Sequence, residues 1–310
     1  MAPQVPISPL SPARRTFYFR LSITIFVIAV PVLFLYATGY RFEGITGLVK
    51  TGGMYVSAER SGAEIHVNGE LVRETGTFRR AFFVQDLEPG TYTVEVTKAG
   101  FHPWGKTLSV YAHIVTEAQA FNMPVEPLLT LIPPTLTAQS QVATSSVPAQ
   151  NPVYVEIHSA FATTTATSTL GALPPRAPTS SSDEALAAAA ATTTKEFRGM
   201  RLSDTGEHIV AAWTRSSESI PFYFCMPEAG CMDHIVLNTK GGKPSYFDFF
   251  PGSADLVLVT LPDGIWVTEL DNRSGQNIQP LFLAEGSDFR VVDGNIYVET
   301  EDGELYEVEI

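Results

Sequence analysis

The sequence predicts an all-β protein that follows a single N-terminal transmembrane helix. Three observations indicate this class: an uncharged apolar run near the N-terminus, a series of short alternating segments after it, and a second such series towards the C-terminus. Hydrophobic residues make up 45% of the 310 residues and charged residues 17%, so a sizeable core can form beside a membrane span.

The apolar run, residues 21–40, reads LSITIFVIAVPVLFLYATGY and carries no charge. Twenty helical residues rise about 30 Å, which matches the hydrocarbon thickness of a bilayer. Pro31 would break a soluble helix but is tolerated in a membrane span. We therefore predict a transmembrane helix over residues 21–40, preceded by a proline-rich, disordered cytoplasmic tail of residues 1–20.

The charges flanking this run predict its orientation. Three arginines precede it: Arg14, Arg15 and Arg20. Only Arg41 follows closely, so the positive-inside rule places the N-terminus in the cytoplasm and the rest outside. The alternative is a cleaved signal peptide, because Ala37 and Gly39 have the small-residue spacing of a cleavage site. Both interpretations export the remainder of the chain.

Residues 51–124 form short alternating runs separated by turn residues, which predicts a small β-sandwich. Asn68-Gly69 lies between two such runs and predicts a tight hairpin with positive φ. Glu88-Pro89-Gly90 is a second turn, in which proline presets φ and glycine is free to turn.

Two stretches of this region, YVSAERSGAEIHVNGE and LEPGTYTVEVTKAGF, resemble the PEGA domain, a small extracytoplasmic β-module of prokaryotic envelope proteins. The positions that give the family its name read Arg60-Ser61-Gly62-Ala63 here, so the proline and glutamate are missing. The resemblance implies a non-enzymatic surface module and supplies no catalytic residues.

Trp104 begins a strand after the second stretch, and we expect its ring to cover the edge of the sandwich, because aromatic rings dominate core burial. The alternative is an exposed ring that stacks on carbohydrate. Trp104 and Tyr111 are therefore the candidate ligand contacts.

Residues 125–196 are rich in Ser, Thr, Ala and Pro and predict a flexible linker, because such sequence buries little apolar surface. An O-glycosylated stalk is the alternative. Val153–His158 is the only segment in it with a strand pattern.

Residues 197–310 repeat a polar turn followed by an alternating strand, with starts about 40–45 residues apart, and resemble β-propeller blades. Closed propellers need about four blades, and this region has room for fewer. Either Val153–His158 and the segment LLTLI before it add strands, or the domain is an open fragment. We expect the open fragment.

Cys225 and Cys231 lie in adjacent strand-like segments, which predicts a disulfide in an exported chain. The short loop predicts a stabilisation of about 2 kcal/mol. The alternatives are free thiols or, with His234, three of the four ligands that a structural zinc site needs.

The net charge of −13 disfavours a nucleic-acid partner, since phosphate binding needs a basic surface. The sequence has no motif of known catalytic, metal or cofactor chemistry, so we expect no enzyme activity and no cofactor. The predicted function is binding or scaffolding at the cell envelope, to a protein or a glycan. The alternative is a sensor or regulatory subunit of an envelope complex.

Overall fold

The computed structural model describes residues 11–43, 47–135, 150–167, 193–226 and 230–310. Strands dominate these residues, so the predicted all-β class is confirmed, and no closed barrel or closed propeller occurs among them. Residues 1–10 of the predicted tail and most of the predicted linker lie outside the described residues.

Twenty-three strands follow one another along the described chain. They are β1 (Tyr40–Glu43), β2 (Gly47–Lys50), β3 (Gly52–Ala58), β4 (Glu64–Val67), β5 (Glu70–Glu74), β6 (Ala81–Leu87), β7 (Gly90–Thr97), β8 (Trp104–Val110), β9 (Val115–Ala120), β10 (Leu128–Leu131), β11 (Thr194–Phe197), β12 (Met200–Asp204), β13 (Ile209–Trp213), β14 (Cys225–Met226), β15 (Gly230–Cys231), β16 (His234–Val236), β17 (Tyr246–Phe249), β18 (Leu256–Leu261), β19 (Gly264–Glu269), β20 (Ile278–Phe282), β21 (Asp288–Val292), β22 (Asn295–Glu299) and β23 (Leu305–Glu309). The helices are α1 (Pro12–Ala37), α2 (Pro152–Thr167) and a short 3₁₀ helix (Phe222–Phe224).

Helix α1 begins nine residues earlier than the predicted span, at Pro12 rather than residue 21. A proline is well suited to the first helical position, because its fixed φ is helical and its missing N–H would have no partner there. The helix is apolar along most of its length, and none of its residues is buried. By length and composition it could cross a membrane, although an N-terminal signal sequence would have the same properties.

Contacts divide the described chain into two compact units. The first takes in the described residues up to Ser57, together with Ala81–Tyr92 and Leu108–Gln119. The second takes in Ala58–Arg80, Thr93–Thr107 and the described residues from Ala120 onwards.

The first unit contains α1, the hairpin β1-β2 and most of a three-stranded antiparallel sheet in the order β6-β3-β9. Alternate residues of β3 and β9 are buried, including Met54, Val56 and Ala118. This alternation is that of a strand with one buried face.

The second unit contains most of a four-stranded antiparallel sheet in the order β5-β4-β7-β8. The turn between β4 and β5 has positive φ at Asn68 and Gly69, as the Asn-Gly pair predicts. The Asn68 side chain also accepts a hydrogen bond of 2.9 Å from the Thr93 backbone N–H, which ties this turn to β7.

The second unit also contains three four-stranded antiparallel sheets, which we call blades. Their strand orders are β11-β12-β13-β16 for the first blade, β17-β18-β19-β20 for the second blade and β21-β22-β23-β10 for the third blade. A shared apolar core joins the first two blades and includes Met200, Leu202, Phe247, Val257 and Val259.

The expectation that the segment LLTLI would stay outside the blades was wrong. Its residues Leu128–Leu131 form β10, which pairs with β23 and completes the third blade with a fourth strand. Without β10, β23 would be an edge with unpaired backbone groups, which are costly when they are shielded from water. The described blades nevertheless form an open fragment.

The interpretation of Val153–His158 as a strand was also wrong, because these residues lie in α2. Asn151 begins this helix by accepting a hydrogen bond of 3.1 Å from the Val153 N–H through its side chain. Ile157 and Phe161, four residues apart, are both buried against Tyr297. This helical spacing buries two apolar side chains on one face, which the alternation of the segment does not reveal.

The first strands of the three blades meet at a polar cluster. Lys195 of β11 lies 2.7 Å from the Asp248 carboxylate of β17 and donates to the Tyr246 hydroxyl at 3.0 Å. The Arg290 guanidinium of β21 lies 4.0 Å from the centre of the Tyr246 ring and pairs with Asp288 at 2.8 Å. Each cation therefore has a carboxylate partner, and the cluster links the blades.

We expect Gly264→Ala to destabilise the second blade strongly. A Cβ atom there would lie 2.3 Å from the Phe282 backbone oxygen, at a φ of +136° that side chains rarely adopt. Backbone cannot move aside as a flexible side chain can, so overpacking adds about 1–3 kcal/mol to the conformational cost. Urea unfolding of the full chain in detergent would measure the loss.

Gly294→Ala is the matched control, because Gly294 is also the glycine of an Asp-Gly turn with positive φ but has no atom within 4 Å of the new Cβ. We expect it to cost only about 1–2 kcal/mol. Equal losses in the two variants would contradict the close approach at Gly264.

Candidate functional site

Strand β8 presents a lysine on its buried face. Its alternate residues Trp104, Lys106, Leu108 and Val110 are all buried, as expected for one side of a strand. A lysine at such a position is unusual, because a buried ammonium group must be paired to offset its lost hydration.

Lys106 is paired with two carboxylates, one at the end of β19 in the second blade and one in the loop between β19 and β20. Its Nζ atom lies 2.7 Å from Glu269 Oε1 and 3.6 Å from Asp271 Oδ2. It also donates to the backbone oxygens of Asp271, at 2.5 Å, and Gly275, at 3.1 Å. The Lys106 side chain is 0% exposed and that of Glu269 is 3% exposed, so this is a fully buried ion pair.

The Glu269 carboxylate receives further hydrogen bonds on both oxygens. The Trp104 indole N–H donates to Oε2 at 3.0 Å, and the backbone and side chain of Asn277 donate to Oε1 at 2.7 and 2.8 Å. The Asn277 amide also donates to the Gly105 backbone oxygen at 3.0 Å. Both oxygens of the buried carboxylate are therefore satisfied, which a stable buried ion pair requires.

Asp271 is held by a second cation. The Arg273 guanidinium lies 2.7 Å from Asp271 Oδ2 and donates to Oδ1 at 2.9 Å. Lys106 and Arg273 together balance the charges of Glu269 and Asp271, so the group is neutral as a whole.

Burial raises the pKa of Glu269 above its ordinary value, and attraction to Lys106 opposes this increase. An acid with a raised pKa in the folded state favours folding at low pH. That contribution is lost as pH rises above the ordinary value of 4.5. Lys106 limits this loss, because its attraction for the ionised carboxylate lowers the pKa of Glu269.

Gln279 extends the same contact to the segment that follows β9. Its amide nitrogen donates to the backbone oxygens of Pro103, at 3.1 Å, and Phe121, at 3.2 Å. Its oxygen accepts from the Met123 N–H at 2.8 Å. We call the whole set the buried joint; its members are Trp104, Lys106, Glu269, Asp271, Asn277 and Gln279.

The joint is suited to holding two strands together rather than to catalysis. Its ionised groups are paired and buried, so they are not presented to a substrate from solvent. No group of three His, Cys, Asp or Glu side chains in the described part of the chain is arranged to bind a metal ion.

The two candidate ligand contacts lie in different surroundings. Trp104 is fully buried, and its indole nitrogen is used within the joint. Tyr111 follows β8 and is only half-buried. A Cβ atom at Gly52 would lie only 2.2 Å from the Tyr111 backbone oxygen. The absence of a side chain at Gly52 therefore permits the close approach of these two segments.

Cys225 and Cys231 are bonded to each other, with an S–S distance of 2.00 Å, and pair across β14 and β15. Their sulfurs are therefore not thiolate ligands for a metal. His234 lies on β16 and is exposed.

A cavity of about 400 Å³ in the first unit is a weaker candidate site. It is lined by the end of α1, the start of β3 and the turn between β8 and β9. Arg41, one of its lining residues, lies 2.6 Å from the Asp86 carboxylate and stacks on the Tyr36 ring. This cation is thus already paired within the unit.

Of the residues in the joint, only Trp104 was predicted from the sequence as a candidate site residue. The available signal was Lys106 itself, because it shares a strand face with Trp104 and Leu108. The partners could not be identified from spacing, since Glu269 lies far along the chain.

We expect Lys106→Met to lower the free energy of unfolding by about 3–5 kcal/mol at neutral pH, because Glu269 would remain charged and buried without its cation. The loss should shrink as pH falls, because Glu269, whose pKa burial raises above its ordinary value, takes up a proton. Urea unfolding of the full chain across this pH range would measure it.

The double variant Lys106→Met/Glu269→Gln is the control, because it removes both charges. It should recover most of the loss and show a flatter pH dependence. A loss in the single variant that is the same at every pH would contradict this account of the joint.

We expect Trp104→Phe to cost about 1–3 kcal/mol through the hydrogen bond lost to Glu269, in addition to any packing change. Trp213→Phe is the matched control, because the buried indole nitrogen of Trp213 has no hydrogen-bond partner among the described residues. If the two variants lose equal stability in thermal melts, the indole bond to Glu269 contributes nothing.

Comparison with known proteins identifies a family for residues 51–122, which contain β3 to β9. The family model described as PEGA domain matches these residues. No curated protein matches the chain. The match includes Trp104 and Lys106 of the joint, whereas α1, α2 and the three blades lie outside it. The chain therefore contains a PEGA domain over residues 51–122.

Proposed function

We propose that this protein is a membrane-anchored binding or scaffolding protein of the cell envelope, without catalytic activity of its own. Its N-terminus lies in the cytoplasm, and the PEGA domain and the blades lie outside. The observation that carries the proposal is α1, which is apolar, long enough to span a bilayer and buried nowhere. A helix with this composition needs an apolar environment, and a bilayer supplies one.

The arginines around α1 support the proposed orientation. Arg14, Arg15 and Arg20 lie in or near its first half, and Arg41 follows its end. The excess of positive charge before the apolar core favours a cytoplasmic N-terminus.

The buried joint supports a display role. It connects β8, within the PEGA match, to β19 and the loop after it through buried ionic bonds. The second blade is thereby held by β8 through buried ionic bonds as well as by the connecting chain, and a preorganised domain loses less entropy on binding.

The proposed partner is a protein of the envelope. A glycan that stacks on Trp104 has less support, because this ring is buried and its polar atom is used.

Cysteine labelling tests the anchor and its orientation. Ser11→Cys lies at the start of α1, and Ser61→Cys lies in an exposed turn after β3. In intact cells, a membrane-impermeant maleimide should label Ser61→Cys and should label Ser11→Cys only after permeabilisation. The reverse pattern would overturn the orientation, and a mature chain that lacks α1 would overturn the anchor.

Cross-linking mass spectrometry on membranes that contain the full chain tests the binding role. We expect cross-links from the blades to other envelope proteins. A hydrolytic or transfer activity of the purified full chain would contradict the non-catalytic assignment.

A further inference from the structure

Strand β10 is the outer strand of the third blade, and none of the described residues forms a strand on its outer edge. Ile132, next to β10, donates its N–H to the Leu305 oxygen at 2.8 Å, and Thr130 lies opposite Glu307. In an antiparallel pair, alternate residues direct their backbone groups to the partner. The N–H and C=O groups of Leu129 and Leu131 therefore point away from β23, where the described chain provides no further strand.

The side chains of β10 are apolar and exposed. Leu128, Leu129 and Leu131 are 63%, 37% and 51% exposed, and β10 contains no charged residue. Edge strands of stable monomers usually carry charges or bulges that prevent pairing with another chain. β10 lacks such protection, which is typical of an edge that takes a partner strand.

The two faces of this edge differ in chemistry. Leu129 and Leu131 share a face with Val308 and Tyr306, their neighbours on β23, so this face is apolar. The opposite face carries Glu307 beside Thr130, and Glu309 beside Leu128. No lysine or arginine of the described chain lies within ion-pair distance of these two glutamates.

The surrounding sequence strengthens the negative potential. Residues 291–310 contain no lysine or arginine and seven acidic residues: Asp293, Glu299, Glu301, Asp302, Glu304, Glu307 and Glu309. A strand added to β10 would lie about 10 Å from β23, since neighbouring strands are about 4.8 Å apart. A long cationic side chain on that strand can cross the small Thr130 side chain and approach Glu307.

A symmetric pairing of β10 with a second copy leaves Glu307 and Glu309 without a cation, because β10 itself carries no charged residue. The two β23 strands would lie about 14 Å apart, since neighbouring strands are about 4.8 Å apart. The complementary occupant is therefore another chain with basic residues.

We propose that the free edge of β10 binds an extended segment of a partner protein in which apolar residues alternate with Lys or Arg. This segment adds a fifth strand to the third blade, with its apolar residues beside Leu129 and Leu131 and its cations over Glu307 and Glu309. The inference rests on the proposed binding function and specifies the chemistry of the partner segment.

The test uses the full chain in detergent and a short fluorescent peptide that alternates lysine with valine, measured by fluorescence anisotropy. A peptide of equal composition with its lysines grouped at one end is the control, since it has the same charge but no strand alternation. We expect the alternating peptide to bind and the grouped peptide to bind about tenfold more weakly or not at all.

Leu129→Pro removes one outward N–H but leaves the bonds between β10 and β23 intact, because proline is tolerated at a free edge. It should abolish binding of the alternating peptide while the circular dichroism spectrum is unchanged. Glu307→Gln/Glu309→Gln should weaken binding about tenfold through two lost exposed ion pairs.

Glu301→Gln/Asp302→Asn is the matched control for this charge change, because it removes the same net charge from a turn of the same blade. It should leave affinity within about twofold. Equal binding of both peptides, or equal weakening by the two charge variants, would overturn the proposal even if Leu129→Pro failed to fold. Dimerisation of the wild-type chain that is lost in Leu129→Pro would also overturn it in favour of a second copy.

The two proposals fail in different ways. If envelope partners cross-link to the blades but the alternating peptide does not bind, the edge proposal is wrong and the binding function stands. If labelling shows that the blades lie in the cytoplasm, the envelope function is wrong, while the peptide measurement still reports on the edge.

Discussion

The arrangement of β8 and the second blade depends on one buried ion pair, between Lys106 and Glu269. Removing an ammonium and a carboxylate from water costs several kcal/mol each, and only close geometry with every remaining hydrogen bond made can offset that cost. The joint meets this condition, since Trp104 and Asn277 satisfy Glu269 while two backbone oxygens satisfy Lys106. A displacement of β8 from the second blade would leave a buried charge unpaired, which is costly.

The joint also explains why a ring that resembles a ligand contact is internal. Trp104 has a large apolar surface and one polar atom, so burial is favourable only where that atom finds an acceptor. Glu269 is that acceptor. Trp104 therefore provides packing and a hydrogen bond, and Lys106, two residues later on the same face of β8, provides a charge.

Local features were predictable from sequence where they depend on neighbouring residues. The turn at Asn68-Gly69, the alternation of β8 and the apolar character of α1 all follow from local chemistry. Features that depend on distant residues were not predictable. β10 was assigned to a linker because its partner β23 lies at the other end of the blades. Val153–His158 was interpreted as a strand because its burial against Tyr297 depends on a sheet formed by later residues. Lys106 signalled that a buried partner existed, but nothing near it in sequence identified Glu269.

The pairing of β10 with β23 has a consequence for the order of folding. β10 leaves the ribosome long before β23, and closing so long a stretch of chain costs entropy that grows with its length. The third blade therefore cannot be completed until Leu305–Glu309 have been made, whereas the hairpins of β4-β5 and β18-β19 need only local contacts. During this interval β10 has no partner strand, so the nascent chain presents the apolar side chains of Leu128, Leu129 and Leu131 to its surroundings. We expect a holding chaperone, rather than intrinsic folding speed, to protect the chain in that period.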